Sequence, residues 1–431
     1  MAFVRLNHLF KQLVFGALIA GALAACTTLD RKNAVPQALT TESYIEGMPG
    51  VRYKIWSRSG IQAMIDDIRR GHDKPFALMD PNNASYLALS GGGDNGAFGA
   101  GLLTGWTERG DRPEFRLVTG VSTGAMIAPF AFLGSDYDYV LKRTFTDVDQ
   151  KDIFIELGLT GALFGDAFAD TSPLYKLISE YVTPELLQKI AYEYTVRDRW
   201  LVIATTNLDA GVPVMWNMGK LATYGTPDSL QLFRKILLAS AAIPGAFPPV
   251  MIDVMAEGKH YQEMHVDGGA TSELFLYPSA LSVMGLQEGI VSPFKNRQAY
   301  IIRNARLDSE WRQTERNTLS IMGRAVEQLI QSQGGGDIYR TFVVTQRDGV
   351  GFNLAYIGPD FKTPHKSEFD RHYMNSLFNY ARDLSRAGYP WAHNPPGFNL
   401  PVNEAVSLQV KRQQQALKAY RAKQSAKQAD Q

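Results

Sequence analysis

The chain has 431 residues, 45% of them hydrophobic and 20% charged, with a net charge of +1. That is a globular composition, and it excludes a chain made of disordered blocks. Near-neutral charge leaves no footprint for nucleic acid as a partner, and the single cysteine excludes an internal disulfide and a cysteine-based zinc site.

Residues 1–12 carry Arg5, His8 and Lys11 and no acid, and residues 13–25 form the apolar run LVFGALIAGALAA. A basic start, a short apolar middle and a small-residue end make a secretory signal rather than a span. Leu23-Ala24-Ala25-Cys26 closes it on the only cysteine. This segment resembles the bacterial lipobox, which implies removal of residues 1–25 and a diacylglycerol on the Cys26 sulfur, with further acyl chains making the anchoring stable. Thr27 stands where an aspartate would favour the inner membrane, so the resemblance implies a cell-envelope protein held to the outer membrane and facing the periplasm. A plain secretory signal or an uncleaved anchor is the alternative.

Residues 26–80 are expected to be a tether with a short helix near Ile61–Arg70, because Pro36, Gly47, Pro49 and Gly50 break any longer period. A folded domain is expected over 81–395. Ser85–Leu89 is a short apolar strand running into Ser90-Gly91-Gly92-Gly93, with a helix over about Gly96–Glu108. Phe115–Val121 and Ala125–Leu133 repeat the strand-then-helix pattern. Trp200–Thr205 is a third strand, Leu230–Ala242 a helix stopped by Pro244-Gly245, and His265-Val266 the end of a fourth strand at Asp267-Gly268-Gly269. Ala299–Arg303 and Thr341–Thr345 are expected as further strands. Such alternation predicts an α/β sandwich with a mostly parallel sheet. Residues 396–431 form a basic, Gln-rich tail, either a solvated helix or a weak contact to anionic lipid.

Three motifs carry chemistry. Gly120-Val121-Ser122-Thr123-Gly124 fits the nucleophile elbow, where a serine between strand and helix takes a strained backbone and small neighbours relieve the crowding. Its hydroxyl then sits at a helix N-terminus, which favours negative charge. Gly91, Gly92 and Gly93 let backbone N–H groups converge on one cavity, either as a phosphate cradle or as an oxyanion hole. There is no G-K-[ST] ending, so this is not a P-loop, and Gly91-x-Gly93-x-x-Gly96 is a weak dinucleotide match in so glycine-rich a stretch. Asp267, followed by Gly268 and Gly269, lies at a strand end on a tightly turning backbone.

Taken in order, these motifs resemble the patatin-like phospholipase family, and Ala239–Pro249 looks like that family's segment before the aspartate. The likeness spans about residues 85–305. It implies a three-layer α/β/α sandwich, a Ser122–Asp267 dyad without histidine, an oxyanion hole from Gly91, Gly92 and Gly93, and a lipid or acyl-ester substrate with no cofactor. One departure stands out: Asp94-Asn95 occupies the place where the family carries Arg or Lys before its last glycine, which weakens phosphate-headgroup binding there. Asp267 is followed by His365, His372 and His393, so a triad is arithmetically open, and His265 shares the strand face of Asp267. No paired-histidine spacing points to a metal. The apolar residues Phe154, Leu157, Leu159, Leu163, Phe164 and Phe168 suit either a lid or acyl-chain wall, or plain core packing. Two functions compete: a lipid-anchored serine hydrolase of acyl esters, and an envelope binding or scaffold lipoprotein of the same fold without turnover.

Overall fold

The computed structural model describes residues 31–54, 58–69, 84–158, 165–277, 296–308, 311 and 313–398. The proposed signal, Cys26 and the tail beyond Phe398 lie outside the described residues, as do Leu159, Leu163 and Phe164. No helix among the described residues is long and apolar enough to cross a membrane.

The chain begins with strand β1 (Arg52–Tyr53), helix α1 (Arg58–Arg69) and strand β2 (Ser85–Leu89). Helix α2 (Gly96–Arg109), strand β3 (Phe115–Gly120) and helices α3 (Thr123–Leu133), α4 (Asp138–Thr146) and α5 (Gln150–Ile153) follow. A two-stranded ribbon of β4 (Ile155–Glu156) and β5 (Ala169–Asp170) leads to α6 (Ser172–Tyr181) and α7 (Pro184–Thr195). Then come β6 (Trp200–Asn207), β7 (Val212–Asn217), α8 (Met218–Ala222), α9 (Pro227–Ser240), β8 (Val250–Ala256) and β9 (Lys259–Asp267). The last elements are β10 (Arg297–Arg306), α10 (Thr318–Arg347), β11 (Val350–Ile357) and α11 (Arg371–Gly388).

The main sheet runs β1-β7-β6-β3-β2-β10-β11. Its five strands from β6 to β11 are parallel, and β7 and β1 add antiparallel pairs at one edge. Both faces are covered, as a parallel sheet requires. One core holds Phe98, Ile127, Leu141, Ile190, Phe233 and Leu377 from α2, α3, α4, α7, α9 and α11. The other holds Met64 and Ile65 from α1 with Ile338 and Phe342 from α10. This is the expected three-layer sandwich with a mixed, mostly parallel sheet.

Two expectations are corrected. Thr341–Thr345 is the last part of α10, not a strand. Its β-branched residues favour a strand locally, but Ile338, Phe342 and Thr345 recur at helical spacing on a buried face, and packing overrides propensity. The strand at that edge is instead β11. The expected tether is already part of the folded body over residues 31–54: Val35, Ile45 and Val51 are buried, and Arg52 and Lys54 reach the buried Glu263 at 2.6 and 3.1 Å.

One register detail places the site. Strand β3 pairs with β6 only up to Gly120↔Ile203, while β7 takes the other edge of β6. Beyond that point β9 pairs with β6, Thr205↔Asp267 to Asn207↔His265. Strands β3 and β9 therefore meet end to end along one edge of β6. The elbow after Gly120 and the carboxylate of Asp267 are brought face to face by pairing alone.

Candidate active site

Ser122 has φ 53° and ψ −125°, a backbone that side chains rarely adopt. Such strain costs on the order of 1–3 kcal/mol and persists only where the surroundings impose it. Here they do. The Ser122 N–H donates to Ser240 Oγ at 3.0 Å, and Ser240 donates on to the Ala204 carbonyl at 2.8 Å. A Cβ on Gly120 would lie 2.5 Å from the Gly124 carbonyl oxygen, and one on Gly124 would lie 2.4 Å from that of Leu89. The two motif glycines are thus required by backbone contact. Helix α3 starts at the next residue, with its N–H dipoles toward the serine.

Asp267 is 2% exposed. Its main-chain N–H donates to the Ala242 carbonyl at 2.9 Å, and its carboxyl accepts from the Gly269 N–H at 2.7 Å. Gly268 packs on the Ala204 carbonyl, where a Cβ would come within 2.7 Å. Burial pushes the Asp267 carboxyl up to about 7, and the Ser122 hydroxyl and the Gly269 N–H pull part of that back by stabilising the charged form. A group titrating there accepts a proton at neutral pH more readily than an ordinary carboxylate does.

The glycine loop is held from behind by Asn304. Its N–H donates to Ser90 Oγ at 2.9 Å, its Nδ2 donates to the Ser90 carbonyl at 2.8 Å, and its Oδ1 accepts from the Gly99 N–H at 3.0 Å. The three glycines do different things. The Gly91 N–H points to the Glu273 carbonyl at 3.3 Å, so the expected donor role of Gly91 is corrected to that of a spacer. Gly92 (φ 152°) presses on the Asn304 carbonyl, and Gly93 (φ 58°) lines the cavity beside Ser122. Gly92 and Gly93 remain the candidate oxyanion donors.

From Ser122 an apolar pocket of about 830 Å³, its open mouth included, runs into the helical layer. Met126 and Phe130 of α3, Phe145 of α4, Leu177 and Ile178 of α6 and Leu237 of α9 line it, and no charged side chain among the described residues does. Sequence patterning registers these residues only as helix faces.

The histidines are occupied elsewhere. His265 is fully buried, with Nδ1 2.8 Å from Thr205 Oγ1 and Nε2 3.1 Å from the Glu263 carboxylate. His393 Nδ1 lies 3.2 Å from the Phe352 carbonyl, and His372 sits exposed in the first turn of α11. His365 Nε2 lies 2.7 Å from the buried Asp94, which also accepts from the Phe369 N–H at 2.9 Å. Asn95 accepts from the Tyr373 hydroxyl at 2.6 Å. Asp94 and Asn95, which depart from the family pattern, thus clamp the segment before α11 over the glycine loop. Glycines make this approach possible: a Cβ on Gly101 or Gly105 of α2 would come within 2.2 or 2.1 Å of a carbonyl oxygen of α11. Among the described residues, Asp94, His365 and Glu368 are the one group with three metal-ligand atoms within 4.8 Å of one another. Within that group Asp94 already accepts from the Phe369 N–H and pairs with His365, the contacts that form the clamp.

The sequence gives no sign of one neighbour of Ser122 and Asp267. Glu273, 4% exposed, lies between the two turns: a Cβ on Gly91 would meet its Oε1 at 2.6 Å, and one on Gly269 its Oε2 at 2.4 Å. Burial raises its carboxyl to about 8. Arg303, 3.9 Å away, opposes the rise, while Asp267 and Asp337 add to it. Position six after the aspartate of a common Asp-Gly-Gly turn is no signal on its own.

Residues 87–278 match the patatin-like phospholipase family model. The match starts within β2 and takes in the glycine loop, the elbow and the Asp267 turn, so this part of the chain is similar to that family. No curated protein matches the sequence. Among solved structures, the crystal structure of VipD from Legionella pneumophila is similar over 72% of this chain and 67% of its own, at 12% identity and a TM-score of 0.34.

Proposed function

We propose that this protein is a patatin-like serine hydrolase that cleaves acyl esters of lipids through Ser122 and Asp267. The observation that carries the reading is the meeting of a strained serine and a buried carboxyl, raised to about 7, at the mouth of an uncharged apolar pocket. The acyl chain lies in the pocket and its carbonyl carbon stands at Ser122. The hydroxyl attacks that carbon while Asp267 takes its proton, and the N–H groups of Gly92 and Gly93 hold the oxyanion, each such donor being worth about 3 kcal/mol. Collapse breaks the C–O bond, and the departing alcohol takes the proton back from Asp267. Water then attacks the acyl-serine with Asp267 again as base, which releases the fatty acid and restores the serine.

Ser122→Ala should abolish both fluorophosphonate labelling and fatty-acid release. Equal release by the two proteins would refute the proposal. The competing scaffold role drew its support from Asp94-Asn95, and the clamp to His365, Phe369 and Tyr373 accounts for those residues. We further propose that Cys26 carries the lipid anchor, with the domain in the cell envelope on the periplasmic side of the outer membrane. Incorporation of an alkyne fatty acid that survives Cys26→Ser would overturn the anchor.

A further inference from the structure

Behind the pocket wall at Phe247 and Phe369 lie apolar side chains that the proposed chemistry does not use. Phe154 packs against Phe247 and Phe369, both in the pocket wall, with ring centroids 5.3 and 6.1 Å apart. On either side of it the β4–β5 ribbon carries Ile155, Leu157 and Phe168, which are 53, 43 and 38% exposed. The ribbon is fixed in place: the Leu157 N–H donates to the Phe168 carbonyl at 2.9 Å, and the Phe168 N–H donates to the Gly245 carbonyl at 3.2 Å, two residues before Phe247. Three large apolar groups grouped on a fixed ribbon are not scattered surface hydrophobics.

The chain's own path points to what covers them. Strands β3 and β6 are parallel, so the turn after β6 lies at the same end of the sheet as Ser122. Arg31 is held in that turn by Asp209, at 3.0 and 2.8 Å. Cys26 stands five positions earlier in the sequence, a contour length of at most about 18 Å. The first described residue, Arg31, is therefore held at the end of the sheet that carries Ser122, a short contour length from the proposed anchor.

We propose that Ile155, Leu157 and Phe168 form a docking surface for a lipid bilayer, so that an acyl chain passes from membrane to pocket without crossing water. This rests on the reading of the pocket as an acyl-ester site. The contact is apolar, and it suits a zwitterionic surface as well as an anionic one.

The test uses full-length protein in a Ser122→Ala background, with Leu157→Cys or Phe168→Cys carrying an environment-sensitive fluorophore. The parent, whose one native cysteine is Cys26, is carried through the same labelling and any signal it gives is subtracted. Phosphatidylcholine vesicles should shift the emission at 157 and 168 to the blue. A label at Val196→Cys, 62% exposed just before β6 at the far end of the sheet, should not move. No shift at 157 and 168, or an equal shift at 196, overturns the proposal. In the Ser122-containing protein, Leu157→Asp with Phe168→Asp should lower vesicle hydrolysis at least about tenfold and leave a short soluble ester within about twofold. An equal loss on both substrates overturns the docking role. A blue shift in a protein that hydrolyses nothing would instead sink the enzymatic reading and leave the docking surface standing.

Discussion

Asp267→Asn separates the demands of chemistry from those of stability. The wild-type carboxyl titrates near 7 in the folded protein against an ordinary 3.8, because it is buried. A carboxyl whose folded value is raised favours the folded state while protonated, and that stabilisation is fully present below the unfolded value and lost as pH rises through the folded one. The window is therefore about pH 4 to 7. Three units at 1.36 kcal/mol each make a penalty of about 4 kcal/mol at pH 8, against about 1.5 kcal/mol at pH 5, where only one unit has been crossed. The asparagine carries no charge, and its side-chain oxygen still accepts from the Gly269 N–H. Relative to wild type, Asp267→Asn should gain about 2–3 kcal/mol more at pH 8 than at pH 5, or about 5 °C in Tm for a domain of this size. In the same protein kcat/KM for a soluble ester should fall about a thousandfold. Thermal melts at the two pH values decide the matter. A Tm difference that does not change with pH would refute the claim that Asp267 is a destabilised, proton-accepting carboxyl.

Two further outcomes follow from the same site. Gly124→Ala drives a methyl into the Leu89 carbonyl oxygen at 2.4 Å and should cost about 3 kcal/mol in urea unfolding, whereas Gly93→Ala, with open space around it and φ 58°, should cost about 1–2 kcal/mol. Similar losses would mean that the elbow is not set by backbone contact. Glu273 stays protonated until about 8, so Glu273→Gln should leave the rise of kcat/KM near pH 7 in place. It should remove a fall above pH 8 that a second negative charge beside Gly91 would otherwise cause. A pH profile that keeps its alkaline limb in Glu273→Gln would refute that role.

Local sequence was sufficient for the elements that carry the motifs. Ser85–Leu89, Gly96–Arg109 and Phe115–Gly120 form as their patterns predict, and the strain at Ser122 is legible from Gly120 and Gly124, since small residues at fixed offsets are what a tight strand-to-helix turn needs. Thr341–Thr345 shows the limit: its β-branched run is a strand by propensity and a helix by packing. The same limit applies to chemistry that depends on distant partners. Nothing in the run from Asp267 to Glu273 tells that its carboxylates are buried, because burial is decided by β9 meeting β3 along one edge of β6 and by Arg303 arriving from β10. Asp94 and Asn95 read as a lost cation until the segment before α11 brings His365, and α11 itself Tyr373, onto them. The amino-acid sequence by itself determined which residues have the right chemistry and which turns hold them. Only the tertiary structure decided which carboxyl faces the serine, which glycine N–H groups are left to an oxyanion, and that an uncharged pocket opens beside them, because each of these depends on contacts between segments far apart in the chain.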